Sequence, residues 1–186
     1  MQASAVSTPP KRFFRRFRRD KSGSAAVEFA LIAAPFFALF FAIVETGIVF
    51  FAGQLLENGV QDSGRLVYTN QMTGVNTTAT QFKADLCSRV SMLLNCTNLD
   101  IDIQYFAPGA TITLSDPIDG SGNYDASGLG FNIPAANATG TVVIRGFYRW
   151  PLIVTGLGYN IANIGRNTAN SKRLLVGLSA FHIEPS

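Results

Sequence analysis

One histidine, one tryptophan and two cysteines occur in 186 residues, and only 15% of the chain is charged. With His182 alone, no Ser-His-Asp or Cys-His constellation can be defended, and a metal site built on two cysteines lacks two ligands. Gly156-Leu157-Gly158 lacks the third glycine of a dinucleotide fingerprint, and no phosphate-cradling glycine motif occurs elsewhere. These shortages point away from an enzyme and from a bound metal or cofactor. Acidic residues are also scarce near the N-terminus, where Asp20 is the one carboxylate before Glu28.

What the chain has instead is a basic block followed by a long apolar run. Lys11 to Lys21 (KRFFRRFRRDK) holds seven positive side chains, and Phe29 to Ala52 is 24 residues with only Glu45 charged. At about 1.5 Å of rise per residue such a helix reaches about 36 Å, enough for a hydrocarbon core of about 30 Å. Basic residues flanking a first span are retained in the cytoplasm, so the sequence predicts a single pass with the C-terminal part outside. A cleaved secretory signal would have a shorter apolar region and a small-residue cleavage site after it. Taking the +6 of the leader from the formal +3 of the whole leaves −3 for the remainder. The calculated basicity therefore belongs to a topogenic tail and gives no reason to expect a nucleic-acid partner; Phe13, Phe14 and Phe17 among the arginines suit a membrane surface. Met1 to Pro10 reads as a disordered tail.

Between the two blocks stands Gly23, then four small or apolar residues, then Glu28-Phe29. This juncture resembles the processing site of Flp-type pilins and of the TadE-like minor pilins, or pseudopilins, of the tight-adherence (Tad, type IVc-like) pilus. The resemblance implies that a membrane-embedded prepilin peptidase cuts between Gly23 and Ser24, leaving 163 residues with Glu28 as the fifth. It also implies a role in pilus assembly and surface adherence, in the bacterial inner membrane, with the peptidase, other pilin-like subunits and the assembly platform as partners. A freed amine on Ser24 would carry positive charge, and Glu28 one helical turn away would pair with it in the same chain or a neighbour. In a low-dielectric setting such a pair fixes the axial offset of packed helices. The competing reading is a permanently anchored protein with an extracytoplasmic ligand-binding domain.

Ala30, Ala34, Ala38 and Ala42 recur every fourth residue, a strip that lets helices approach closely in lipid. Pro35 interrupts one backbone hydrogen bond and predicts a kink. Glu45 is expected at the far membrane interface. Beyond it, Leu56, Val60, Ser63, Gly64 and Val67 lie at helical spacing with polar residues elsewhere, so the span should continue as a stalk to about Thr69. Close packing is one explanation for Gly53, Gly59 and Gly64; flexibility is the other.

After a polar link, Phe82, Leu86, Val90, Leu93 and Leu94 predict a second helix over Thr80 to Asn95 with a threonine cap. Two cysteines in a segment placed outside the cytoplasm suggest a Cys87–Cys96 disulfide. Alternation then predicts four strands: Leu99–Tyr105, Thr111–Leu114, Thr141–Tyr148 and Leu174–Ile183. Asp116 to Gly140 reads as a long surface loop whose acidic residues are solvated turn residues rather than calcium ligands. The expected fold is α+β: a basic leader (1–23), a transmembrane and stalk helix (24–69), and a domain (70–186) with a short helix on an antiparallel sheet. Arg149-Trp150-Pro151-Leu152, the close Phe181-His182-Ile183-Glu184-Pro185 and the cysteines around an apolar helix look like TadE-like proteins as well. Ile183 stands where asparagine is more usual before Glu-Pro, and the glycine-rich loop is longer than in that pattern.

Overall fold

A computed structural model describes residues 23–69, 71, 78–135, 137–157, 159–166 and 168–184. The basic leader up to residue 22, most of the polar link and Pro185 lie outside the described residues. Helix α1 (Ser24–Tyr68) is one 45-residue helix that runs through Pro35 without a break. The chain divides into two compact units, one ending at Phe41 and one comprising Ala42–Ser186.

In the first unit, almost nothing is covered. Phe29 is 70% exposed, and Leu31, Ile32, Phe36, Phe37, Leu39, Phe40 and Phe41 are exposed too. Rings of Phe36, Phe37, Phe40 and Phe41 stack or meet edge to face along the helix surface.

In the second unit, the rest of α1 is the backbone of a core. Leu56, Val60, Ser63, Gly64 and Val67, the stripe expected from spacing, are all buried. Helix α2 (Ala79–Val90) starts with a capping box, Thr78 Oγ1 accepting from the Gln81 amide and Gln81 Oε1 from the Thr78 amide. The cap is thus Thr78 rather than a residue at position 80. The helix stops at Val90 instead of reaching Asn95, and in the turn that follows the Leu93 amide bonds the Val90 carbonyl at the tighter three-residue spacing. Cys87 and Cys96 form a disulfide across this turn.

The sheet has three antiparallel strands in the order β1 (Leu99–Phe106), β2 (Gly140–Pro151), β3 (Lys172–Ile183). Its inner face, with Leu99, Ile103, Ile144, Tyr148 and Leu175, packs on Leu56 and Val60 of α1 and Phe82, Leu86 and Val90 of α2. Thr111–Leu114 is not a strand: it is exposed and unpaired by any ladder. The free edge of β1 is taken by residues 130–132, where the Ile103 amide donates to the Gly130 carbonyl and the Asn132 amide to the Ile103 carbonyl. No edge is left there for a fourth strand.

The outer face also departs from expectation. The segment Asp116 to Gly140 does not simply bridge two strands over the surface; Ile118, Tyr124 and Leu129 pack on Phe147, Ile164 and Leu174 in a second apolar cluster. β2 is therefore covered on both faces, and Val142 to Tyr148 are all buried.

Candidate functional site

The residues that begin α1 stand together. Gly23 occupies a turn immediately before the helix, its carbonyl accepting the Val27 amide at 3.2 Å, and Ser24 Oγ donates to Glu28 Oε1 at 2.8 Å. All of Gly23 to Ala30 are exposed, so the Gly23–Ser24 bond and the Glu28 carboxylate are open to a partner. Ala30 and Ala34 are exposed, Ala38 is half-buried and Ala42 is buried within the second unit, so the alanine strip is open only in its N-terminal part.

Glu45, expected near the far membrane interface, is covered by the protein itself. It is 8% exposed, and its Oε1 and Oε2 accept the backbone amides of Ile153 and Val154, the latter at 3.1 Å. One turn of α1 thus binds the loop that follows β2. Next to it, Thr46 Oγ1 donates to the Tyr159 hydroxyl at 3.2 Å. The partners lie more than a hundred residues away in sequence, and no local pattern announces them.

Two further ionic clusters hold the outer face. Asp102, fully buried, accepts from Arg145 Nε at 2.8 Å, from the Gly130 amide at 2.7 Å and from Gln104 Nε2 at 2.8 Å. Arg145 also donates to the Ser115 carbonyl, so this pair fastens both ends of the long loop. Asp100 accepts from Tyr124 Oη at 2.8 Å and pairs with Arg149 at 3.2 Å. Burial, then the hydrogen bond to Asp100, push the Tyr124 phenol well above its ordinary value. Elsewhere Asp85 of α2 binds Ser63 of α1 at 2.8 Å and Arg89 at 3.0 Å, joining the two helices. Asp116, Asp119 and Asp125 accept backbone amides two residues on, as solvated turn residues do. Among the described residues no group of three or more His, Cys, Asp or Glu side chains stands close enough to hold a metal.

Among the described residues one helix has membrane-spanning length and composition, and residues 23–71, which hold the open juncture and all of α1, match the family model for TadE-like proteins. Its N-terminal segment is TadE-like. The match ends within a few residues of the end of α1 and covers 49 of the 186 residues. No curated protein and no solved structure matches the chain.

Proposed function

We propose that this chain is a minor pilin, or pseudopilin, of a tight-adherence pilus, cut by a prepilin peptidase between Gly23 and Ser24 and required for pilus assembly and adherence. It is not an enzyme in this reading; it works by packing. The observation that carries the proposal is the pairing of Ser24 with Glu28 at the open start of a helix whose first seventeen residues after Ser24 lack a folded covering. Glu28 already accepts a hydrogen bond from Ser24, and a freed α-amino group at Ser24 would place a cation within one turn of it. Exposed phenylalanines and the Ala30, Ala34 and Ala38 strip offer an apolar surface to the helices of other pilin-like subunits, first in the inner membrane and then in the fibre. The leader stays in the cytoplasm and the second unit faces the periplasm.

N-terminal sequencing of the membrane-extracted protein tests this directly. The expected first residue is Ser24 in cells with an active peptidase; a functional species that retains the arginine leader would overturn the proposal and favour a permanently anchored protein.

A further inference from the structure

The apolar run and the folded second unit overlap. On α1, Ala42, Glu45, Val49 and Ala52 are buried, while Ile43, Val44, Ile48, Phe50 and Phe51 on the other faces of the same turns are exposed. The apolar run before the second unit, Phe29–Phe41, is 13 residues and covers about 20 Å, short of a hydrocarbon core of about 30 Å. When α1 spans a bilayer, the turns from Ala42 to about Val49 must therefore lie in the membrane or at its surface. Those turns hold the β2–β3 loop through Glu45 and Thr46.

The side chains held at that depth suit it. Ile153, whose amide is bound by Glu45, is 88% exposed, an unfavourable state for isoleucine in water. Tyr159 is partly exposed and Trp150 half-buried, the two residue types enriched at headgroup level. Lys172 and Arg173 pair with Pro151 and Trp150 at the same end of the sheet. No acidic residue occurs from Ala126 to Ile183, so this tip carries cations without carboxylates of its own. Glu45 would be costly at such a depth, but both its oxygens are occupied by backbone amides.

We infer that Ile153 and Tyr159, in the loop after β2, form a lipid-contacting tip: before assembly the second unit rests in the outer leaflet of the inner membrane, with Ile153 among acyl chains and Lys172 and Arg173 at anionic headgroups. The inference rests on α1 spanning the membrane and is independent of leader processing.

The native cysteines are paired, so a single introduced thiol can be labelled in the full-length chain. Ile153→Cys carrying an environment-sensitive fluorophore is reconstituted in phosphatidylethanolamine–phosphatidylglycerol vesicles containing lipid with a nitroxide high on the acyl chain. Ala107→Cys, exposed and beyond the opposite end of the sheet, is the control. The expected result is blue-shifted emission and severalfold stronger quenching at 153 than at 107. Water-like, equally unquenched emission at both positions, in protein that floats with the vesicles, overturns the lipid contact alone. Protein that fails to float overturns the membrane anchor with it. In the Ile153→Cys background, Glu45→Ala should abolish the extra quenching; undiminished quenching would remove Glu45 as the residue that positions the tip.

Discussion

At the residue scale, Asp102 gathers Arg145, Gln104 and the Gly130 amide on the outer face of the sheet. Leu99-Asp100-Ile101-Asp102-Ile103 alternates as a half-buried strand should, and alternation puts Asp102 on the polar face. That face turns out to be roofed by the loop, and Asp102 ends fully buried with Arg145 at 2.6 Å. Alternation reports which side chains share a face, and carries no information about what later covers it. Asp102→Ala would leave a buried guanidinium uncompensated, so thermal unfolding in detergent should show a loss of about 3–5 kcal/mol. A closer test of packing is Gly177. It pairs with Gly146 where α1 crosses the sheet, and a Cβ there would meet the Leu56 carbonyl oxygen at 2.9 Å and the Glu57 Cα at 3.0 Å. Since both are backbone atoms, Gly177→Ala should cost about 1–3 kcal/mol by the same measurement.

At the element scale, the α1–α2 contact is legible where it depends on helical period. The buried stripe of α1 follows the 3.6-residue repeat, and Gly59 and Gly64 take the close-packing role, Gly59 against Leu86 and Val90, Gly64 against Ser179 and Ile144. Gly53 has open space around its Cα and takes no such role. Asp85 and Arg89 are an i,i+4 pair that the period allows, but the bridge from Asp85 to Ser63 on the other helix is not a local property. Burial alone would raise the Asp85 carboxyl, but the hydrogen bonds from Arg89 and Ser63 and the Arg89 charge outweigh it, and the group is held below its ordinary 3.8. A carboxyl depressed in the folded state contributes stability that is complete above its unfolded value and lost as pH falls through its folded value. Asp85→Asn should therefore lower stability at neutral pH and flatten the acid limb below about pH 4, read from denaturant midpoints across pH. The disulfide acts on the same helix from its other end. Cys87 and Cys96 are nine residues apart, and reduction or Cys96→Ser should cost about 2–3 kcal/mol, lowering the melting temperature without changing the fold.

At the scale of the whole molecule, the main core belongs entirely to the second of the two units. The order of elements, a long helix, a short helix and then an antiparallel sheet, could be read from periodicity, because each period is a local property of the chain. The expectation of a strand at Thr111–Leu114 failed because a strand also needs a free edge, and Gly130–Asn132 already bonds to the outer edge of β1. For stability the decisive fact is where burial begins: among the described residues the first buried apolar side chain is Ala42. Every group in the main core, from Val49 onward, belongs to the second unit. A chain starting at Ala42, with the disulfide formed, should consequently unfold within about 0.5 kcal/mol of the full-length protein, as expected for removal of residues that add nothing to the main core. It should also lose stable membrane attachment, remaining in the supernatant after alkaline extraction while the full-length chain pellets with the membrane. A large drop in melting temperature for the shortened chain would mean that the exposed phenylalanines of the first unit support the fold as well as the attachment.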